Sequence, residues 1–125
     1  MAVKKIKTLL VDDDYLVLQD LKKMVDWEAL GFQIINTAAN GKQAQEMAQK
    51  NMPDLIVSDI SMPVMDGFDF IEELRKLNPR AYIILISSYA SFDYARRALQ
   101  NRVHSYILKN EMTAESLTRE LLLAK

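Results

Sequence analysis

Three aspartates and one lysine are the residues best placed to do chemistry in this sequence. Asp12 and Asp13 stand side by side after an apolar run, Asp59 closes another, and Lys109 closes the last. Ser87 and Ser88 follow a fourth such run. Carboxylates gathered in one place repel each other, so a cluster of them either raises a pKa or binds a cation. Hard carboxylate oxygens with no histidine or cysteine beside them suit Mg²⁺. A metal there would neutralise charge on an incoming phosphoryl group, with Lys109 as a fixed positive charge and Ser87 as a hydroxyl donor. These are the parts for phosphoryl transfer to a carboxylate. The competing reading makes such acids helix caps and turn residues. It is preferred for Asp14 and Asp66, and set aside for Asp12, Asp13 and Asp59 taken jointly with Lys109.

These residues act together only if the chain brings them to one edge, and the hydrophobic pattern predicts that it does. Ile6 to Val11 is a short apolar stretch stopped by three aspartates, as a strand buried on both faces would be. From Tyr15 to Val25, Val17, Leu18, Leu21, Met24 and Val25 recur at helical spacing. Trp27, Leu30 and Phe32 flank Gly31, a stop signal, before a strand Gln33 to Ala38 and a helix Gly41 to Lys50. A third unit pairs the strand Leu55 to Ser58, through a loop Asp59 to Asp66, with a helix that uses Phe68, Ile71, Leu74 and Leu77 on one face. Tyr82 to Ile86 is a fourth strand, Phe92 to Gln100 a fourth helix, Ser105 to Leu108 a fifth strand, and Thr113 to Ala124 a fifth helix. Strict alternation of this kind predicts an α/β fold with a parallel sheet between helices, because parallel neighbours need crossover connections. Ligands of such sheets bind at the carboxyl ends of the strands, where Asp12, Asp13, Asp59, Ser87 and Lys109 all fall.

Composition narrows the field further. The chain has 125 residues, enough for one core and too few for two, and is read as a single domain over 1–125. Sixteen basic residues against seventeen acidic ones leave a net charge of −1, so no overall field favours nucleic acid or an anionic membrane. Cysteine is absent, which excludes disulfides, thiolate metal sites and cysteine nucleophiles. The start, Met1 to Lys5, is basic, and no segment nears the ~18 apolar residues of a membrane span, so a cytoplasmic location with no membrane partner is expected. The lone His104 has no partner at metal-ligand spacing and is placed at the start of a strand. Trp27, Tyr82 and the seven methionines read as core or rim packing. Arg96, Arg97 and Arg102 read first as solvated surface charge, with a basic surface for a partner as the alternative.

Two stretches carry a resemblance to a known family. Leu10-Val11-Asp12-Asp13-Asp14 resembles the acidic opening of two-component response-regulator receivers, and Asp59-Ile60-Ser61-Met62-Pro63-Val64-Met65-Asp66-Gly67 resembles their phosphorylation loop. The likeness spans nearly the whole chain. It implies a doubly wound, flavodoxin-like sheet of five strands in the order 2-1-3-4-5. It implies that Asp59 is the nucleophile and phosphoacceptor, with Asp13, Asp59 and the Ser61 backbone carbonyl binding Mg²⁺ and Asp12 assisting. Ser87 would follow the phosphoryl group, Lys109 would be its cationic partner, and Tyr106 would report the switch to the surface of the fourth helix, fifth strand and fifth helix. The implied partners are a sensor histidine kinase as donor and a second copy of the chain on phosphorylation. The protein would be a signalling switch rather than an enzyme.

A narrower resemblance lies in Asp26-Trp27-Glu28 with Leu30-Gly31-Phe32, and in Ser87-Ser88-Tyr89 with Phe92-Asp93-Tyr94-Ala95. These are similar to receivers attached to AraC-type DNA-binding output domains. DNA would then be reached only through an output domain absent from this chain, read as the receiver portion of a longer regulator. Two positions depart from the family pattern. Asn110 follows Lys109 where Pro is usual, so a trans bond is expected there, and with it a longer reach from Lys109 to Asp59. Arg102 stands where Gly is common, so Asn101 is expected to take the left-handed helix cap. An aspartyl-phosphate hydrolase and a receiver-like interaction module with weak or no phosphorylation are the competing functions. A nucleotide-binding domain is rejected, because three aspartates are the electrostatic opposite of a glycine-rich phosphate cradle.

Overall fold

A computed structural model describes residues 4–125. The first three residues of the basic start lie outside the described residues. Five parallel strands, β1 (Ile6–Val11), β2 (Phe32–Ala38), β3 (Leu55–Asp59), β4 (Tyr82–Ser87) and β5 (Ser105–Leu108), form one sheet in the order β2-β1-β3-β4-β5. The helices between them are α1 (Tyr15–Met24), α2 (Trp27–Leu30), α3 (Gly41–Lys50), α4 (Gly67–Leu77), α5 (Phe92–Gln100) and α6 (Ala114–Leu123). A 3₁₀ turn at Lys109–Glu111 joins β5 to α6. The expected doubly wound topology is therefore present.

Side chains alternate across a strand, so each strand feeds two cores. From β1, Leu9 and Val11 pack with Ala44 and Ala48 of α3, with Phe70, Ile71 and Leu74 of α4, and with Ala98 of α5. Leu10 points the other way, into a cluster with Leu18 and Leu21 of α1, Trp27, Phe32, and Leu117 and Leu121 of α6. With β1, β3 and β4 almost wholly buried, their apolar sequences have no polar face to show.

Most helix starts are written in the sequence as side-chain caps. Asp14 accepts from Leu16 N–H and Asp66 from Asp69 N–H, so both serve as the caps expected of them. Asn40 and Ser91 do the same for α3 and α5, and Thr113 with Ser116 closes a capping box on α6. The short helix α2 was not anticipated by hydrophobic spacing. Asp26 caps it and Gly31, at φ 98°, ends it as the expected stop.

The end of α5 corrects one expectation. Asn101 is not left-handed (φ −90°); Arg102 is, at φ 56°. The cause is local hydrogen bonding. Arg102 N–H donates to Leu99 O and Val103 N–H to Ala98 O, the two bonds of a Schellman motif, which demand the left-handed conformation one residue after the cap. Asn101 spends its side-chain amide on Arg97 O at 2.7 Å. An L-residue in this conformation costs about 1–2 kcal/mol, against the smaller entropic cost of glycine. Arg102→Gly is accordingly expected to raise stability by about 0.5–1 kcal/mol, read as a higher urea midpoint. A lower midpoint would contradict this account of the turn.

Candidate functional site

The parallel sheet brings the carboxyl ends of β1, β3, β4 and β5 to one edge, and the residues singled out above meet there. Asp12 follows β1 and is fully buried, Asp13 beside it is exposed, and Asp59 is the last residue of β3 and 6 % exposed. One carboxylate oxygen from each of the three lies within 4.8 Å of the other two. Lys109 Nζ sits 2.8 Å from Asp12 Oδ2 and 3.4 Å from Asp59 Oδ1. All peptide bonds of the described residues are trans, the Lys109–Asn110 bond included. The trans bond is as expected, and the flexible lysine stem spans the distance to Asp59. Ser61 lies two residues beyond Asp59 on the exposed loop.

Burial controls the electrostatics. Desolvation pushes the Asp59 carboxyl up to about 6, with the Asp12 charge adding to it; Lys109 and the Ile60 N–H, 2.9 Å from Asp59 Oδ1, work against the rise. Asp12 is likewise raised by burial, although Lys109 and the Asp14 N–H pull it back. Burial alone would lower Lys109, yet its contacts with Asp12 and Asp59 hold it above its usual value. Asp12 Oδ2 is buried with the Lys109 ammonium, 2.8 Å away, as its cationic partner. A hard divalent cation fits this donor set. It would be held by carboxylate oxygens whose mutual repulsion one ammonium only partly offsets and which the cation would relieve.

Two features of the edge have no signature in side-chain spacing. The first is the carbonyl of Tyr89, in the loop after β4. Ser87 Oγ donates to it at 3.1 Å and also accepts from Tyr89 N–H, while Tyr106 Oη donates to the same carbonyl at 2.9 Å. Ser87 and Tyr106 are thus joined through one backbone group. The second is the bracing of the loop 59–66. Gly67 N–H donates to Ile60 O, and a Cβ at Gly67 would collide with the backbone oxygen of Asp59. At the other end, Gly41 N–H donates to Met65 O at 2.9 Å, and a Cβ there would come within 2.5 Å of that oxygen. Between them Val64, 80 % exposed, is held at φ 71° by a γ-turn in which Met65 N–H reaches Pro63 O.

The remaining candidates fall elsewhere. His104 precedes β5, where its Nδ1 accepts from Ile83 N–H and its ring stacks on Tyr82 at 4.0 Å. Arg96 pairs with Asp93 on α5, and Arg97 lies 4.3 Å over the ring of Phe68. Among the described residues no helix is long and apolar enough to cross a membrane.

Known proteins resemble this chain in sequence and fold. A family model for the response regulator receiver domain matches residues 8–121. The uncharacterized transcriptional regulatory protein YesN of Bacillus subtilis is 33% identical over 118 residues, which are 93% of this chain and 32% of YesN. The transcriptional regulatory protein HptR of Staphylococcus aureus is 32% identical over 103 residues, 82% of this chain and 40% of HptR. The chain therefore spans between a third and two fifths of the length of these curated relatives. Among solved structures, the REC domain of AraT, a response regulator from Geobacillus stearothermophilus, superposes with a TM-score of 0.88 at 28% identity, over 95% of this chain and 92% of that one.

Proposed function

Because the chain belongs to the response regulator receiver domain family, we propose that it is a phosphoacceptor switch, phosphorylated on Asp59 by a sensor histidine kinase. The observation that carries this reading is the convergence of Asp12, Asp13 and Asp59 within 4.8 Å, with Lys109 reaching two of them. In the proposed step Asp59 Oδ attacks the phosphorus of a phosphohistidine. The P–O bond forms as the P–N bond breaks, and the leaving imidazole takes up a proton. Asp12, Asp13, Asp59 and the Ser61 carbonyl are the proposed Mg²⁺ ligands, and the metal when bound supplies neutralisation of the phosphoryl oxygens. Lys109 follows the charge from the carboxylates to the new phosphoryl group.

The response is proposed to pass through Ser87. A phosphoryl group adds strong acceptors and up to about two negative charges. Ser87 Oγ turns toward it and leaves the Tyr89 carbonyl, to which Tyr106 is also bonded. The loop after β4 is then free to move, and the surface of α5, β5 and α6, the predicted fourth helix, fifth strand and fifth helix, changes with it. Dimerisation on phosphorylation, and control of transcription through an output domain beyond this chain, belong to the same proposal, as does a single receiver domain over 1–125.

Incubation with a small phosphodonor tests the reading. Intact mass should rise by one phosphoryl group with Mg²⁺ and stay unchanged with a chelator; no gain in either condition would overturn it. Asp13 offers a second test, because it is exposed and makes little contribution to the core. Asp13→Ala should keep its stability within about 0.5 kcal/mol while Mg²⁺ affinity, measured by calorimetry, falls at least roughly tenfold. An unchanged titration would remove Asp13 from the ligand set.

A further inference from the structure

The opposite end of the sheet carries a second cluster of charge. A surface cavity of about 210 Å³ is lined by Arg75, Pro79, Arg80, Arg102 and His104. Arg75 is in the last turn of α4, Pro79 and Arg80 lie in the loop before β4, and Arg102 and His104 lie in the loop before β5. All five therefore sit at the amino ends of the strands, away from the carboxylates. No acid lines the cavity, and among the described residues none of the three arginines forms an ion pair with a carboxylate.

Arg75 is fixed in place. Its Nη1 donates to Pro79 O at 3.0 Å and Ala81 O at 2.7 Å, and its Nη2 donates to Arg102 O at 2.8 Å. Its Nε is buried without a partner. Carbonyl dipoles hold the guanidinium there but do not neutralise it. Burial, and after it the charge of Arg102, lowers Arg75 from its usual value; burial, and after it Arg75, lowers His104. His104 is oriented by the bond from Ile83 N–H to its Nδ1, which leaves Nε2 as the donor of the neutral ring.

Arg75 has a structural reason in its three carbonyl bonds, whereas no ion pair or side-chain hydrogen bond occupies the guanidinium groups of Arg80 and Arg102 among the described residues. Arginine at position 102 holds a left-handed backbone that glycine would adopt without the side-chain penalty. Backbone strain of this kind is enriched at ligand sites. The ligand suited to the guanidinium groups of Arg80 and Arg102, the positive charge of the anchored Arg75 and the imidazole N–H is a multiply charged oxyanion, since guanidinium matches phosphate oxygens in geometry and charge. We propose that the cavity lined by Arg75, Arg80, Arg102 and His104 binds the phosphate group of a small anion, inorganic phosphate or a phosphate monoester, at the end of the sheet remote from Asp59. This site is independent of phosphorylation at Asp59.

The chain has one histidine, so the His104 ring proton resonances report on the cavity without overlap. The protein is titrated with sodium phosphate and with glycerol 3-phosphate, in chelator to exclude metal-dependent binding at the carboxylates. Sodium chloride at matched ionic strength and sodium acetate are the comparisons. A saturable shift with either phosphate compound is expected, and the tighter of the two shows whether free phosphate or an ester is preferred. Arg102→Gly and Arg80→Ala should each weaken binding at least tenfold, while Lys50→Ala, which removes an equal charge elsewhere on the surface, should leave it unchanged. Arg102→Gly is expected to be more stable than the parent, so a loss of binding there cannot be a loss of fold. Shifts that never saturate, that chloride or acetate reproduce, or that survive both arginine substitutions would overturn the proposal.

Discussion

Asp59→Asn is expected to take up no phosphoryl group under conditions in which the native chain takes up one. Attack on phosphorus needs a carboxylate oxygen with a free electron pair and a negative charge, and the amide has neither in usable form. The substitution changes no volume of note, so the carboxylate pair Asp12 and Asp13, Lys109 and the braced loop should remain in place around it. The competing acceptors are those same two aspartates. Asp12 is fully buried and holds Lys109 at 2.8 Å, and Asp13 is exposed, so neither shares the combination of partial exposure and adjacency to Lys109 that Asp59 has. Intact mass after treatment with phosphodonor and Mg²⁺ decides the matter. Incorporation into the Asn variant equal to that of the parent would move the acceptor to another residue.

The second large effect concerns stability, and it has an unusual sign. Paired carboxylates commonly have depressed pKa values, so that proteins gain stability as pH rises out of the acid range. Asp59 is raised instead, from 3.8 to about 6, chiefly by burial and then by Asp12. Between those two values the folded protein binds more protons at this site than the unfolded chain does. Stability from Asp59 is therefore complete below about 4 and is lost as pH climbs through about 6. A shift of this size corresponds to about 2–3 kcal/mol. In chelator, Asp59→Asn should match the parent near pH 3, well below both values, and exceed it by about that amount at pH 7. Mg²⁺ should shrink the difference by stabilising the ionised form. Urea unfolding of both proteins across this range, with and without Mg²⁺, measures it. A constant difference at every pH would show that Asp59 is not held out of its charged state by the fold.

Much of the framework could be read from the sequence because both faces of the sheet are buried. Runs such as Leu55 to Ser58 and Tyr82 to Ile86 have no polar alternation, and each is followed by an amphipathic stretch, which leaves a parallel sheet as the economical solution. The edge that gathers Asp12, Asp59, Ser87 and Lys109 follows from that topology. Four-residue α2 escaped because it is too short to show a period, although Asp26 at its start and Gly31 at its end mark it in retrospect. The left-handed residue after α5 was assigned one position too early. Residue preference favours Asn101, but the two Schellman hydrogen bonds fix the position by geometry, whatever side chain stands there. The Tyr89 carbonyl was invisible for a different reason: every residue but the last has an identical backbone acceptor, and only the fold selects this one. At Lys109 the trans bond expected from Asn110 is present, and the flexible lysine stem spans the distance to Asp59.

The two glycines that brace the loop 59–66 divide it into parts with different freedom to evolve. At Gly67 any side chain meets the Asp59 backbone, and at Gly41 any side chain meets Met65 O. Substitution at either would shift β3 or its loop. Ser61, Pro63 and Val64, between these anchors, are exposed and belong to neither core. Side-chain changes there would redraw the surface beside Asp59 while the backbone that holds its carboxylate stays in place.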